Sequence, residues 1–278
     1  MEKMNVKKSL LKKIARILIK LKTSSLFKIK QKDFDLRFYP SSMSRILWVD
    51  QYLAEKPYGE EQEFFRRYLR PNDIVIDVGA NIGFFTLIFS TIVGRTGKVY
   101  AIEPHPRIYK YLQGNLDLNS VENVRTFNLA LGSKSGTVKF SDRKGDDRNS
   151  VITTGAGITV PQKSLDQLGI EDESIALLKI DVEGYEKFVI EGAGQILKNV
   201  RCIYFEVIER HFSKFGYKLE ELLNILVNYD FKILEISANK ASRPPPFHYL
   251  RFSNNLIAVR DINAFLKRTN FLFSAKVV

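Results

Sequence analysis

Short apolar runs alternate with amphipathic segments through most of the chain after residue 70. Runs rich in β-branched and aromatic residues predict strands, and apolar positions three and four apart predict helices between them. Seven segments fit strands: IVIDVG, KVYAIE, VRTFNLAL, ALLKIDV, CIYFEVI, FKILEIS and NLIAVR. The main segments that fit helices are 82–93, 107–118, 184–197 and 219–227. This alternation predicts an α/β fold.

Most of the predicted strands are apolar on both faces, which is typical of a parallel sheet covered by helices on each side. FKILEIS and NLIAVR are joined by a loop without a helix, so this last pair is expected to be antiparallel. We therefore predict a mostly parallel, doubly wound sheet of seven strands that ends in an antiparallel hairpin. The polar, glycine-rich stretch 132–157 is expected to add a short hairpin around TVKF. Ligands of such sheets bind at the carboxyl ends of the strands.

The first 36 residues differ from the rest and predict a basic amphipathic helix. Lysines and Arg16 fill one face, and a stripe of apolar residues forms the other: Leu10, Leu11, Ile14, Ile17, Leu18 and Leu21. No apolar run reaches the roughly 20 residues that span a bilayer, and basic residues interrupt any signal-peptide core. Two arrangements stay open. The helix lies on an anionic membrane surface through residues 7–30, or it packs on its own domain with a solvated basic face.

Composition and charge divide the chain into four parts. The basic segment covers residues 1–36, and an aromatic-rich helical extension covers 37–70 and includes EEQEFFRRYL, which is expected to stop at Pro71. The predicted sheet domain covers 71–262, and 263–278 is expected to be a C-terminal tail.

The net charge of +12 lies almost entirely in the basic segment. Residues 1–32 contain eleven Lys or Arg and one acid, which leaves +2 for the other 246 residues. The domain itself is nearly neutral, so no nucleic-acid partner is expected. The single cysteine, Cys202, excludes an internal disulfide and a four-cysteine zinc site. We expect a cytoplasmic protein, which in the membrane arrangement would be peripheral on the inner membrane face.

The loop DVGANIG follows the first strand of the predicted sheet and begins the next helix. Gly79 and Gly83 allow the backbone to turn sharply and to approach a ligand closely. The start of the helix presents free N–H groups. Glu103 ends the next strand, where a carboxylate commonly accepts the ribose hydroxyls of a nucleotide-like ligand. Loop and acid together predict a cofactor that contains adenosine.

S-adenosylmethionine (SAM) and NAD are the two candidate cofactors. The dinucleotide fingerprint has a glycine where this loop has Asn81. Asp77, just before the loop, suits an ammonium or a sulfonium better than a pyrophosphate, and SAM carries both cations and no phosphate. The loop therefore favours SAM. An NAD-dependent oxidoreductase is one alternative, and a non-catalytic glycan- or membrane-binding module with a degenerate fold is another.

Four blocks, in this order, resemble the FkbM-type SAM-dependent methyltransferases: VIDVGANIGFFT, VYAIEPHP, LALGSKSG and LLKIDVEGYEKFVIEGA. The SLDQL stretch and the Asn149-Ser150 pair add to the resemblance, which covers about residues 70 to 240. The resemblance implies a Rossmann-like class I methyltransferase fold, bound SAM, and methyl transfer, usually to a hydroxyl oxygen of a sugar, glycan or natural product. The residues implied to contact the cofactor are Asp77, Gly79, Ala80, Asn81 and Gly83, with Glu103 on the ribose and His105, Asn128 and Ala130 near the adenine.

Methyl transfer to an alcohol requires a base or a metal to remove the hydroxyl proton. KIDVEG places acids at the carboxyl end of a strand, and Asp181 and Glu183 are expected to point to the same side of an extended chain. The base is expected to be Glu183 or Asp181, with Glu206 and His211 as further candidates. No metal is expected, because no histidine or third well-placed carboxylate completes a coordination sphere around Asp181 and Glu183.

The acceptor is expected to be a hydroxyl-bearing small molecule or a saccharide. The stiff, proline-rich run ASRPPPFHYL lies between the last two predicted strands. It either lines the acceptor pocket or connects those strands.

Overall fold

The computed structural model describes residues 2–53, 58–143, 149–237, 240–242 and 254–274. The N-terminal elements are α1 (Glu2–Lys20), β1 (Lys28–Lys30), β2 (Asp35–Arg37), α2 (Ser42–Gln51) and α3 (Gly59–Tyr68). β1 and β2 form an antiparallel pair. The predicted helix before Pro71 is confirmed, because α3 ends at Tyr68.

The remaining elements alternate as the sequence predicts. The strands are β3 (Ile74–Val78), β4 (Lys98–Ile102), β5 (Val124–Phe127), β6 (Ala130–Leu131), β7 (Gly136–Phe140), β8 (Ile158–Lys163), β9 (Ile175–Ile180), β10 (Val200–Val207), β11 (Lys232–Ser237), β12 (Lys240–Ser242), β13 (Asn254–Val259) and β14 (Leu272–Ser274). The helices are α4 (Phe84–Val93), α5 (Pro106–Leu118), α6 (Glu186–Glu191), α7 (Ile196–Asn199), α8 (Glu209–Phe212), α9 (Leu219–Asn228) and α10 (Ile262–Thr269).

The main sheet confirms the predicted α/β class. Its strand order is β14-β12-β11-β13-β10-β9-β3-β4-β5. The block from β10 to β5 is parallel, and β13 is antiparallel to both β10 and β11. The predicted C-terminal antiparallel pair is therefore present. The predicted count of seven strands is wrong, since nine strands are described. β12 and β14 are three residues each, too short to show a period of two.

Two predicted elements are divided in the structure. VRTFNLAL forms β5 and then β6, which leaves the main sheet and joins β8 and β7 in a three-stranded sheet. The predicted hairpin around TVKF is present, as β7 pairs antiparallel with β8. The helix predicted over 184–197 is two short helices, α6 and α7, with Gly192 and Gly194 between them. A Cβ on Gly192 would lie 2.1 Å from the Gly132 carbonyl oxygen. The two backbone segments can approach this closely only because residue 192 is a glycine. The proline-rich run 243–249 lies outside the described residues.

Apolar side chains cover both faces of the sheet, as a doubly wound fold requires. On one face, Val75 and Leu177 belong to a core that includes aromatic residues of α3 and α4. On the other face, Ile76 and Leu178 pack in a core with residues of α6, α7 and α9. α10 closes the first core, where Phe265 is buried beside Phe64 with ring centroids 6.3 Å apart.

Helix α1 divides its apolar residues between two faces. Ala15 is fully buried, and Leu11, Leu18 and Ile19 pack partly buried against the first core. A second set is exposed to solvent: Val6, Leu10, Ile14 and Ile17, followed just after the helix by Leu21. One face of the helix therefore packs on its own domain, and a second apolar face is exposed; the arrangement on a membrane surface stays a prediction. Across the described chain, every helix is too short or too polar to cross a membrane.

Candidate active site

A cavity of about 230 Å³ opens at the carboxyl ends of the parallel strands. Its wall comes from the loops after β3, β4 and β9, from β6, and from the end of β10. Of the predicted site residues, eight line it: Gly79, Ala80, Asn81, Glu103, Ala130, Asp181, Glu183 and Glu206. The cavity lies where β3 has β4 on one side and β9 on the other. This is the switch point at which ligands of doubly wound sheets bind.

The two loop glycines after β3 serve different neighbours. Gly79 lines the cavity with φ +83°, and a Cβ there would lie 1.9 Å from the Asp181 carbonyl oxygen. The lack of a side chain therefore lets the β3 loop touch the loop after β9. Gly83 has φ +87° and faces Leu112 of α5, 2.6 Å from a notional Cβ, and is not among the described residues that line the cavity.

Glu103 is a buried carboxylate held in a fixed position on the wall. The backbone N–H of Asn81 donates to its Oε2 at 3.0 Å, and the backbone N–H of His105 donates to its Oε1 at 2.8 Å. Asn81 adopts a left-handed conformation with φ +50°. A carboxylate oriented in this way, at the end of β4, is placed to accept hydrogen bonds from a ribose.

An apolar wall lies beside Glu103 and suits a flat aromatic group. Ala130, Leu131, Phe140 and Val151 line this part of the cavity. Asn149 also lines it, and its side-chain nitrogen is buried without a hydrogen-bond partner among the described residues. An adenine presents ring-nitrogen acceptors to such a donor. The sequence marked the Asn149-Ser150 pair only through the family resemblance.

His105 and Asn128, two residues predicted near the adenine, do not line the cavity as far as the chain is described. The Nδ1 of His105 accepts from the backbone N–H of Arg107 at 3.2 Å, and its Nε2 lies 3.0 Å from Asp142. Asn128 donates to the carbonyls of Glu103 and Pro104 at 2.8 and 3.0 Å. Both residues support the wall from behind, and their contact with a cofactor stays a prediction.

Asp77 is fully buried behind the loop and is not among the described lining residues. Thr86 donates a hydrogen bond to its Oδ2 at 2.6 Å, and Lys179 Nζ lies 3.5 Å from its Oδ1. Burial raises the pKa of Asp77, while Lys179 and the bond from Thr86 oppose the rise. Its predicted direct contact with the cofactor stays a prediction.

Lys179 joins this buried acid to the cavity, which it lines. Its Nζ is 3.3 Å from Asp181 Oδ2. Burial lowers the pKa of Lys179, but the carboxylates of Asp181 and Asp77 outweigh burial and raise that pKa above its ordinary value. Lys179 is therefore charged, and it brings a cation to the wall.

The inner end of the cavity contains acids from two strands. Asp181 and Glu183 follow β9, and Glu206 lies near the end of β10. The prediction that Asp181 and Glu183 share one side of an extended chain is wrong, because β9 ends at Ile180 and Glu183 is left-handed with φ +58°. Burial, reinforced by the carboxylates of Asp181 and Glu183, raises the pKa of Glu206 to about 9.

His211 lies behind this wall on α8 and is buried. Its Nδ1 is 3.3 Å from Glu183 Oε2. Burial, together with Lys214 and Arg210, lowers the pKa of His211 to about 4, so its imidazole is neutral at neutral pH. Glu183, Glu206 and His211 each offer one ligand atom within 4.8 Å of the others. A histidine and a second carboxylate therefore lie beside Glu183, although Asp181 is not in this group, and the expected absence of a metal stays a prediction.

The remaining wall residues were not predicted. They are all aromatic or apolar: Met43, Tyr58, Phe84, Phe85, Pro104, Val182 and Tyr185. Such side chains have no sequence signal that distinguishes them from core residues. Met43 belongs to α2, so the N-terminal extension contributes to the site.

Comparison with known proteins adds independent information about this site. Residues 77–233, more than half of the chain, match the family described as "Methyltransferase FkbM domain". The chain is 31% identical over 155 residues to "Hexuronic acid methyltransferase AglP" of Haloferax volcanii, which covers 53% of this chain and 62% of that protein. It is 22% identical over 182 residues to "2-O-methyltransferase NoeI" of Sinorhizobium fredii, which covers 58% of this chain and 74% of that protein. The chain thus spans less than two thirds of the first of these relatives.

One solved structure with a related description is "Methyltransferase FkbM from Methylobacillus flagellatus KT". It is 17% identical, with a TM-score of 0.46, and the alignment covers 77% of this chain and 54% of that one.

Proposed function

Because this chain belongs to the FkbM methyltransferase family and its cofactor is SAM, we propose that it transfers the SAM methyl group to a hydroxyl oxygen of a saccharide. The observation that carries the proposal is the group of acids and imidazole at the inner end of the cavity. An alcohol must lose its proton as it attacks the methyl group, and groups that take up or stabilise that proton are needed there. The names of two relatives, a hexuronic acid methyltransferase and a 2-O-methyltransferase, support a sugar acceptor.

The cavity suits the two ends of SAM. Glu103 would accept the ribose hydroxyls, and the apolar wall would take the adenine beside the Asn149 nitrogen, which has no hydrogen-bond partner in the described part of the chain. The loop at Gly79 and the acid at Asp181 are then left for the methionine end, whose ammonium and sulfonium are cationic. NAD would bring a pyrophosphate to this same acidic end, which family membership and the charge both disfavour.

Charge at the inner end favours a hydroxyl acceptor over a carboxylate. Asp181, Glu183 and Glu206 line this end, whereas Lys179 is the one basic side chain among the described lining residues. An anionic carboxylate acceptor would be repelled there, and a neutral hydroxyl would not. The carboxylates can also accept hydrogen bonds from the neighbouring hydroxyls of a sugar ring.

The test is methyl transfer from SAM to a panel of neutral sugars and uronic acids, with S-adenosylhomocysteine release measured and products examined by mass spectrometry. The expected product is a methyl ether, which survives mild base. A methyl ester, which mild base cleaves, would contradict hydroxyl transfer. No turnover with any acceptor while SAM still binds would favour the non-catalytic module.

A variant pair locates the chemistry. Glu183→Gln is expected to keep SAM affinity and to lose at least about 100-fold in turnover, because a carboxylate positioned to assist proton loss from the acceptor contributes on that scale. Glu173→Gln changes an exposed acid in the loop before β9 and is the matched control. Full turnover in Glu183→Gln would remove Glu183 from the mechanism.

We also propose that α1 brings the protein to an anionic membrane surface. Its uncovered apolar stripe includes Ile14 and Ile17, which are 38% and 54% exposed, and lysines lie beside it. An apolar face with basic flanks has the charge and shape that anionic headgroups attract. Since α1 packs on α2, which supplies Met43 to the cavity, a lipid-linked saccharide would be an accessible acceptor.

Vesicle sedimentation tests this surface. Binding is expected to phosphatidylglycerol-containing vesicles and not to pure phosphatidylcholine vesicles, and Ile14→Asp with Ile17→Asp should abolish it. Val227→Asp replaces an equally exposed apolar residue on α9 and should bind as the wild type does, being 53% exposed. Equal binding by both variants would place the contact elsewhere.

A further inference from the structure

Three side chains from separate elements converge at the inner end of the cavity. Glu183 follows β9, Glu206 lies on β10, and His211 lies on α8. Glu183 and Glu206 line the cavity, and His211 reaches them from behind. A close backbone contact brings these segments together. Gly184, at φ +105°, lies against the backbone of His211, and a Cβ on Gly184 would be 2.7 Å from the His211 carbonyl oxygen. No residue with a side chain would bring these two segments so close.

The buried imidazole of His211 has a ring nitrogen that makes no hydrogen bond within the described chain. The His211 side chain is 10% exposed, and its Nδ1 is buried without a hydrogen-bond partner among the described residues. This nitrogen lies 3.3 Å from Glu183 Oε2, close but without hydrogen-bond geometry. A buried ring nitrogen that makes no bond costs free energy, unless a group absent from the protein chain completes it.

The three ligand atoms lie close enough together for small side-chain movements to form a coordination sphere. The three ligand atoms lie within 4.8 Å of one another. With bonds of about 2.1 Å, octahedral ligands are about 3.0 Å apart when adjacent and about 4.2 Å apart when opposite. Shifts of a few tenths of an ångström would therefore centre an ion among the three atoms.

Charge points to a cation in the same place. Asp181, Glu183 and Glu206 face this end of the cavity. Lys179 is the one basic side chain among the described lining residues, and it is shared with the buried Asp77. A divalent ion between the carboxylates of Glu183 and Glu206 would compensate their charge directly.

We propose that Glu183, Glu206 and His211 bind a divalent metal ion that accepts both oxygen and nitrogen ligands, such as Mn²⁺. Two carboxylates and one imidazole suit such an ion better than Ca²⁺, which takes oxygen ligands, or a thiolate-bound metal. Three protein ligands leave positions open toward the cavity for water or for an acceptor oxygen.

The role of the ion rests on the proposed function. An acceptor hydroxyl bound to it would be more acidic, and its proton would pass to Asp181, which lines the cavity. The oxygen then bonds to the SAM methyl carbon as the carbon–sulfur bond breaks. The electron pair of that bond goes to sulfur and gives S-adenosylhomocysteine.

Direct metal binding tests the site without SAM or acceptor. Chelator-treated full-length protein is titrated with Mn²⁺ and followed by electron paramagnetic resonance. The expected result is one ion per chain, with affinity at least about tenfold weaker in Glu206→Gln and in His211→Phe. Glu209→Gln, which changes an exposed acid on α8 two residues from His211, should bind as the wild type does. Absence of binding, or equal binding in all four proteins, would overturn the proposal.

Further measurements separate loss of the metal site from loss of folding or of SAM binding. Thermal unfolding of each variant without metal shows whether it is folded, and a Co²⁺ absorption spectrum that changes in His211→Phe reports loss of the nitrogen ligand. SAM titration in chelator tests cofactor binding separately. Metal binding without saccharide methylation would support the metal site and contradict the proposed reaction. Methylation that chelator does not affect would contradict a catalytic role of the ion.

Discussion

Gly79 couples the cofactor loop to the acidic end of the site. A Cβ at this position would lie 1.9 Å from the Asp181 carbonyl oxygen, and φ is +83°. Gly79→Ala is expected to destabilise the protein by about 3 kcal/mol or more and to weaken SAM binding, because backbone must move against backbone. Urea unfolding and SAM titration measure the two effects.

Gly169→Ala separates the clash from the cost of the backbone angle. Gly169 also has a left-handed φ, +66°, but nothing lies within 4 Å of its notional Cβ. The Gly169→Ala variant should lose only about 1 kcal/mol in the free energy of unfolding and should keep its SAM affinity. Equal losses in the two variants would mean that the loop after β9 moves aside freely.

Lys179 is the second residue on which the site's structure depends. Lys179→Met removes the cation between Asp77 and Asp181 and leaves a fully buried carboxylate uncompensated. We expect a loss of about 3–5 kcal/mol in the free energy of unfolding. Combining it with Asp77→Asn should restore most of that loss, since the uncharged amide needs no cation. Additive losses in a double-mutant cycle would contradict this pairing.

At the residue scale, the sequence predicted the cofactor side of the site better than the catalytic side. Gly79 and Glu103 were identified because a glycine loop and a strand-end acid have fixed positions relative to their own strands. The partnership of His211 with Glu183 depends on how α8 meets the loop after β9. That is a tertiary contact across 28 residues, and no local pattern indicates it.

At the scale of elements, the SLDQL stretch is explained by a helix start. Asp166 accepts hydrogen bonds from the backbone N–H groups of Gln195 at 3.0 Å and of Ile196 at 2.9 Å, where α7 begins. Asp166→Ala is expected to cost about 1–2 kcal/mol of stability, as the loss of a helix cap does. SAM affinity should be unchanged, because Asp166 is absent from the described cavity wall.

Chemical denaturation measures this loss, and Glu171→Ala is its control. Glu171 is an exposed acid five residues away, outside any helix of the described chain. It should change stability by no more than about 0.5 kcal/mol. A fall in SAM affinity in Asp166→Ala would instead assign this stretch to the binding site.

The elements that the sequence predicted well are those long enough to show a period. β3, β4, β9 and β10 have five to eight residues each, and all four were identified. β6 has two residues, and α7 has four. Elements of this length form because their neighbours supply the hydrogen bonds, so their own residues do not specify them.

For the whole molecule, the alternation of apolar runs predicted the sheet but not how the chain's ends attach to it. An aromatic cluster around Phe64 of α3 joins the N-terminal extension to the C-terminal residues Phe265 and Phe271, at ring-centroid distances of 6.3 and 6.4 Å. Arg268 of α10 adds an ion pair with Asp73, just before β3. Contacts between segments about 200 residues apart are beyond any pattern read in a local window.

These contacts lead us to propose that residues 262–274 are part of the domain core rather than a tail. Phe271 is 5% exposed, and Leu272, the next residue, is 69% exposed. Phe271→Ala should lower the free energy of unfolding by about 3 kcal/mol or more, as loss of a buried ring does. Leu272→Ala should change it by less than about 0.5 kcal/mol, because that side chain is already in water. Urea unfolding of the full chain measures both values. Small changes in the free energy of unfolding for both variants would place the domain boundary near residue 262. A large loss confined to Phe271→Ala would mean that the fold that positions the site requires the C-terminal segment.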